Sequence, residues 1–299
     1  LTLGEAGSHK RKQTVYYEKI ESLVRGIRDG DSGNKLLTIH ADFQRGTSLS
    51  NDADLCDFNN WQTGQWNAQK ELPRKGEKIG NGTVWDIIQY DYAQLYNGVY
   101  KPTIDLEAKY ERNKDFCGAT PFSIRRRAYF TIFAGAFGHT YGAGGIWDGL
   151  MKPVGCSGNA LEALNYKGAV HIGHLSRFLH RLGSSFLKLR PDQSLISSVN
   201  SLDYDYHLQA TVSNDKNFAL LYSASDKKYS VDLSKINADD LFFVWYNPRS
   251  DSYHNPSDLR INESFSAKVM LDPPGEQGPG NDWVLILGHK KTIGNFINQ

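Results

Sequence analysis

The sequence predicts an α/β fold: a (β/α)8-type barrel of which the C-terminal half is present, followed by an antiparallel β-sandwich. Three observations predict it. Between Lys101 and Trp147 a short strand, Thr103 to Leu106, closes on Glu107; a helix apolar nearly all round follows; a second strand opens near His139. Strand, buried helix and strand make a βαβ unit. Up to Arg190-Pro191, four to five strands alternate with helices, the pattern of a parallel sheet. Beyond that point the apolar runs shorten and alternate, with turn residues every ~8–15 positions, the pattern of a sandwich. The expected domains are therefore 1–190 and 191–299.

Taken in order, Leu1 to Glu5 reads as a strand whose last residue is Glu5. Lys10 to Gln13 is a basic, polar turn. From Thr14 to Arg28, Val15, Ile20, Leu23, Val24 and Ile27 recur at roughly 3.6-residue spacing, an amphipathic helix with Thr14 as N-cap and Gly30 as stop. Lys35 to Ala41 is a buried strand ending at His40, and Asp57 to Gly64 holds a short strand or turn. Asn81 to Tyr96 is the next helix, carrying Val84, Ile87, Ile88, Tyr92 and Leu95; Asn165 to Leu182 is another. The sandwich strands are read at 208–212, 218–222, 230–233, 241–246, 264–269 and 283–287. Half a barrel exposes strand edges and an apolar interior. The chain is therefore read first as the C-terminal part of a longer protein; association with a separate N-terminal half, or an open sheet, are the alternatives.

The 34 basic and 33 acidic residues nearly cancel, so neither nucleic acid nor an anionic membrane is an expected partner. No run of 18 apolar residues exists, so no membrane span is expected. The chain begins Leu-Thr-Leu-Gly, without Met or a visible signal peptide, as a processed or truncated product would. The Asn81-Gly-Thr83 and Asn262-Glu-Ser264 triplets give weak support to secretion, which is the expected localisation. Three cysteines, Cys56, Cys117 and Cys156, allow one disulfide and one thiol. The 16 Tyr and 6 Trp suit a sugar-binding cleft, and equally an ordinary core.

In a parallel barrel the C-terminal strand ends carry the chemistry, which places Glu107, His139 and Tyr141 on one rim. Strand alternation sends Asp105 and Glu107 to the same side. Glu5 also ends a strand. Two carboxylates on one rim are what glycoside hydrolysis needs: one protonates the leaving oxygen, the other attacks the anomeric carbon or activates water. The competing readings are a surface salt-bridge cluster for Glu107 and a frayed terminus for Glu5. His40, His139 and Tyr141 could orient a carboxylate or bind a hydroxyl. Asn59, Trp61 and Gln62 would suit a sugar subsite, amides for hydroxyls and indole for the apolar ring face; Tyr110 and Glu111 flank Glu107. His171, His174 and His180 read as a solvated helix face, and no metal or cofactor is expected. Gly142-Ala-Gly-Gly145 lacks the Lys-Ser/Thr of a phosphate loop, and Gly155-Cys-Ser-Gly158 lacks the spacing of a nucleophile elbow. Arg125 to Arg127 read as a loop-to-helix junction, one of them able to pair with a rim carboxylate.

At these residues the sequence resembles the apiosidase-like glycoside hydrolases, glycoside hydrolase family 140 and its relatives. Leu3-Gly4-Glu5 resembles the family's strand-end GGD/GGE, Leu37-Thr-Ile-His40 its LxTxH, and Asp57 to Gln65 its DFNxxQSGH. Lys101 to Glu111 resembles KPxxxxExxYE, and Arg125 to Gly142 resembles RxxxYxxxxAGxxGHTYG. Trp245-Tyr-Asn-Pro-Arg249, Pro273-Pro-Gly275 and Asp282-Trp-Val284 resemble the small β-domain labelled collagen-binding that follows such barrels. The resemblance spans nearly the whole chain. It implies a (β/α)8 barrel plus a β-sandwich, acting on plant or microbial polysaccharide, with Glu107 one catalytic carboxylate and Glu5 the other, as acid/base. Three departures stand out: the chain starts where the family's fourth strand would end, Gly-Glu replaces Gly-Gly-Asp, and Gln65 replaces a histidine. The alternative function is a non-catalytic carbohydrate- or matrix-binding protein on a degenerate barrel.

Overall fold

A computed structural model describes residues 2–6, 13–41, 45–49, 54–64, 79–96, 99–115, 117–237, 241–254, 267–276 and 278–297. Gln65, the Asn262 triplet and the first half of the strand expected at 264–269 lie outside them. The chain forms two compact units, Leu1–Tyr110 with Ala136–Gly142, and Glu111–Gly135 with Ala143–Gln299.

In the first unit β1 (Thr2–Ala6) runs parallel to β2 (Thr38–Ala41). Leu3 pairs with Ile39 and Ala6 with Ala41, so the backbone of Glu5 falls in an irregularity beside His40. Between them α1 (Gln13–Asp31) buries Val24 against Leu37, Ile39 and Cys56. Leu23, expected on that face, is exposed, so the apolar stripe is narrower than its spacing suggested. Gly30 does not stop the helix; a glycine inside a helix costs only about 1 kcal/mol against alanine. The stop comes at Gly33, whose φ of +69° and bond to the Arg28 carbonyl (2.9 Å) turn the chain out.

The short β3 (Arg45–Gly46) lies antiparallel to β4 (Asn59–Gln62). A Cβ at Gly46 would come within 2.3 Å of the Trp61 indole, so only glycine fits. Thr83, the third residue of the Asn81 triplet, caps α2 (Val84–Tyr92) by accepting from the Asp86 N–H. The hairpin β5 (Leu95–Tyr96) and β6 (Val99–Tyr100) leads to β7 (Thr103–Asp105). β7 runs parallel to both β4 and β8 (Gly138–His139). Asn60 joins β2 to β4 through its side chain: Nδ2 donates to the Ile39 carbonyl (2.6 Å) and to Thr38 Oγ1 (2.7 Å), and Oδ1 accepts from Ala41 N–H (3.1 Å).

In the second unit Pro121 opens α3 (Pro121–Phe133) behind a Thr120–Ser123 capping box. Next come the short α4 (Ala160–Ala163) and α5 (Lys167–Leu182). β9 (Leu189–Pro191), β10 (Leu208–Ser213) and β11 (Phe218–Ser225) begin an antiparallel sheet. β12 (Tyr229–Asp232) pairs separately with β15 (Lys268–Leu271). β13 (Leu241–Asn247), β14 (Ser252–His254) and β16 (Pro279–His289) complete the large sheet, in the order β14-β13-β16-β11-β10-β9; α6 (Lys290–Ile297) ends the chain. Strand alternation divides its buried residues: Ala210, Leu221, Trp245 and Leu285 join Val231 in one core. On the other face Tyr222 stacks on Tyr129 of α3 (4.7 Å between centroids) and Tyr246 on Phe178 of α5 (4.5 Å). Both helices therefore belong with this sheet, and the compact units do not follow a cut at 190.

Arg125 pairs with the sheet residue Asp282, not a rim carboxylate: Nε–Oδ2 is 2.8 Å and Nη2–Oδ1 2.5 Å. His171 and His174 face inward rather than forming a solvated face; His174 Nδ1 lies 3.1 Å from the Pro248 carbonyl, and His180 alone is exposed. Arg125 Nη1 lies 2.8 Å from His171 Nδ1. A guanidinium only donates, so His171 accepts and is neutral. Burial, then the charge of Arg125, lowers its pKa to about 4. An unfolded histidine takes its proton near pH ~6.5, so stability is full above that and is lost as pH falls toward the folded value. The melting midpoint is expected to drop between pH ~6.5 and about 4. His171→Asn, which keeps an acceptor without titrating there, should flatten that slope in thermal melts.

Cys117 and Cys156 form a disulfide spanning 39 residues; Cys56 is a buried thiol outside it. The bond joins the loop before α3 to the loop before α4. Ser157 Oγ donates to the Arg112 carbonyl (2.5 Å) and Arg112 Nε to the Cys156 carbonyl (3.0 Å). A loop of this size predicts about 2–4 kcal/mol lost on reduction. Thermal melts with and without a reductant check it, with Cys117→Ser/Cys156→Ser as the reference.

Candidate active site

Glu107 lies two residues past the end of β7, which closes at Asp105. Its backbone is tied to the end of β4: its N–H reaches the Trp61 carbonyl at 3.4 Å, and its carbonyl accepts from Gly64 N–H at 3.1 Å. Its Oε2 lies 3.4 Å from Nε2 of His40, at the end of β2. Both side chains are partly open, 15 % and 16 % exposed, so a ligand could reach them. His40 Nδ1 lies 2.9 Å from the Ala41 carbonyl oxygen. Strand ends thus bring His40 and Glu107 together from positions 67 apart in sequence.

On β7 itself, two residues before Glu107, Asp105 is fully buried. Thr63 Oγ1 donates to its Oδ2 (2.7 Å), and His139 Nδ1 lies 3.6 Å from the same oxygen. Thr140 Oγ1 donates to the Leu106 carbonyl (2.6 Å), fixing the turn out of β8. Tyr141, two residues past His139, is partly exposed. Tyr110 lies flat against Gly142, where a Cβ would be 2.1 Å from its ring.

Other expected ligand residues are placed differently. Trp61 is 1 % exposed and covered by Gly46, so it offers no open face for a sugar ring. Asn59 and Gln62 are buried with it, because every residue of β4 is enclosed. Glu111 belongs to the second unit. It is buried, accepting from Gly168 N–H at 3.2 Å, where a Cβ at Gly168 would be 2.1 Å from Oε2. That is a packing role at the start of α5. The backbone of Glu5 lies in β1; its side chain lies outside the described residues. Asn60, Thr63 and Asp105 were not singled out as site residues. The strand spacing of Asp105 to Glu107 was the available signal for one of them. Among the described residues no group of three metal-ligating side chains occurs.

Solved structures resemble the chain over nearly its whole length. A structure described as a glycoside hydrolase is 27 % identical with a TM-score of 0.77, covering 96 % of this chain and 64 % of its own. A glycoside hydrolase family 5 structure from Bacteroides vulgatus is 26 % identical with a TM-score of 0.77, covering 96 % and 62 %. The chain spans less than two thirds of the length of these structures. The family model described as "Apiosidase-like, catalytic domain" matches residues 4–184, and the chain belongs to that family. A second model, "Putative collagen-binding domain of a collagenase", matches residues 190–288. No curated protein matches the chain.

Proposed function

We propose that this chain cleaves glycosidic bonds of plant or microbial polysaccharide with Glu107 and Glu5 as its carboxylate pair. The observation that carries the reading is Glu107 at a strand end, partly open and 3.4 Å from His40. The register of β1 on β2, which brings the Glu5 backbone beside His40, supports the pairing. In this mechanism the protonated carboxyl of Glu5 gives its proton to the departing oxygen. The carboxylate of Glu107 meets the oxocarbenium-like centre as the bond breaks. His139, Tyr141 and Tyr110 would line the sugar site.

On this reading the strands of the first unit are part of a (β/α)8 barrel. β1 and β8 are its outer members here, and further strands from a companion segment would close it. The large sheet with β12 and β15 is read as the β-sandwich. No cofactor is required. The Cys117–Cys156 disulfide supports secretion, since such bonds persist in oxidising compartments.

The test is release of reducing sugar from plant and microbial polysaccharides and aryl glycosides by the full chain, beside Glu5→Gln. Turnover that falls in the variant, less so on substrates with an activated leaving group, supports the pair. Saturable sugar binding with no release from any substrate would favour the non-catalytic carbohydrate-binding alternative.

A further inference from the structure

β2 and β4 are bonded to each other, yet they belong to different sheets. Their partners climb together, Leu37 with Asp57, Thr38 with Phe58 and Ala41 with Asn60, so the two run parallel. Just before the strands begin, the link is backbone to backbone: Asp57 N–H donates to the Leu37 carbonyl (2.8 Å). Further along, side chains take over. Thr38 Oγ1 donates to the Phe58 carbonyl (2.9 Å), and Asn60 reaches across to β2. The ladder of β4 goes to β7 instead. Asn59 N–H donates to the Pro102 carbonyl (2.8 Å), and the Trp61 carbonyl accepts from Leu106 N–H (2.8 Å). Between them, the backbone N–H of Asn60 donates to Thr47 Oγ1 (3.1 Å).

The Asn60 amide supplies the missing ladder at one residue, His40. In a parallel pair, a facing residue bonds the carbonyl before its partner and the N–H after it. Asn60 Nδ2 donates to the Ile39 carbonyl (2.6 Å), and its Oδ1 accepts from Ala41 N–H (3.1 Å). Those groups flank His40 on either side. An amide offers a donor and an acceptor side by side, as a backbone peptide does. Its orientation is fixed, since the reverse would set oxygen against oxygen and N–H against N–H. Nδ2 also donates to Thr38 Oγ1 (2.7 Å), and the residue is fully buried.

From this clamp the rim is reached in two directions. Ile39 and Ala41 carry the register of β1, pairing with Leu3 and Ala6, so the Glu5 backbone is placed through them. Trp61 follows Asn60 in β4. Its carbonyl oxygen lies 3.4 Å from the Glu107 nitrogen, and Gly64 N–H donates to the Glu107 carbonyl (3.1 Å).

We propose, on the glycosidase reading above, that Asn60 is a positioning residue. Its amide sets the spacing between the strands that lead to Glu5 and His40 and those that lead to Glu107. Being fully buried, it acts through the backbone and not by touching substrate. A misplacement of about 1 Å at a reacting site can cost roughly a hundredfold in rate.

The experiment compares two variants of the full chain. Asn60→Leu keeps the volume and loses every side-chain bond across the seam. Asn60→Asp keeps the acceptor for Ala41 N–H and loses the donor to the Ile39 carbonyl. Ile88→Val, an apolar trim inside α2, is the control for stability alone. All three should melt lower than the wild type. Assayed well below those midpoints, Asn60→Leu should lose about 10–100-fold in kcat at little-changed KM, and Asn60→Asp less. Ile88→Val should keep its kcat. Crystal structures give the arm that needs no turnover. The separation of the His40 and Glu107 Cα atoms should shift by about 1 Å in Asn60→Leu and hold in Ile88→Val. If Asn60→Leu does not fold, Asn60→Asp carries both readings. A folded Asn60 variant with wild-type spacing or wild-type kcat overturns the proposal. Failure of both variants to fold also overturns it, since the amide would then serve folding alone. A wild-type chain that releases no sugar from any substrate overturns the glycosidase reading instead, and the Cα separation still decides whether Asn60 sets it.

Discussion

Glu107→Gln is expected to reduce glycoside turnover by roughly 10³–10⁵-fold, about 4–7 kcal/mol of barrier, with binding retained. The amide matches the carboxylate in shape but carries neither its charge nor its nucleophilicity. The fold should not notice. The backbone links of Glu107 to Trp61 and Gly64 do not involve its side chain, and that side chain is partly open. An isosteric carboxylate-to-amide change at this site should cost about 1 kcal/mol or less. Turnover assays beside thermal melts check both halves. Wild-type turnover in the variant would remove Glu107 from the chemistry.

Asp282→Ala should have the largest effect on stability, about 3–5 kcal/mol. Its carboxylate accepts two hydrogen bonds from Arg125 and one from the Tyr222 hydroxyl (2.8 Å). The two charged side chains are 3 % and 0 % exposed, so the guanidinium left behind would be both unpaired and dry. Burial alone would lower the Arg125 pKa, but the charge and hydrogen bond of Asp282 hold it above its ordinary value. Burial likewise raises the Tyr222 hydroxyl well above its usual range. The melting midpoint should fall by roughly 10 °C. Arg125→Leu/Asp282→Leu should recover much of the loss, because removing both charges removes the desolvation problem. A single variant that melts like the wild type would show that water reaches Arg125.

The strand leading to Glu107, which stops at Asp105, the strand at His40 and the βαβ order were legible because apolar runs and their polar terminators are local signals. The helix from Pro121 to Phe133 was legible as buried, since it is apolar nearly all round. Its destination was not: periodicity says that a face is covered, not by what. Tyr129 finds Tyr222, and Arg125 finds Asp282 157 residues away. Trp61 reads like a ligand platform from its type alone. A neighbour that cannot be foreseen from spacing, Gly46, closes it off. Asn60 was passed over because one amide in a short strand or turn gives no hint that it will stand in for a missing ladder between two strands.

The chain leaves the second unit's helix α3 stranded, in sequence, between two stretches of the first. No single peptide bond separates the two bodies. A gene piece beginning at residue 190 would encode the sheet without the aromatic helices that cover Tyr222 and Tyr246. Exchange of this C-terminal module by recombination would therefore have to carry the preceding helices along, or supply replacements from the new host.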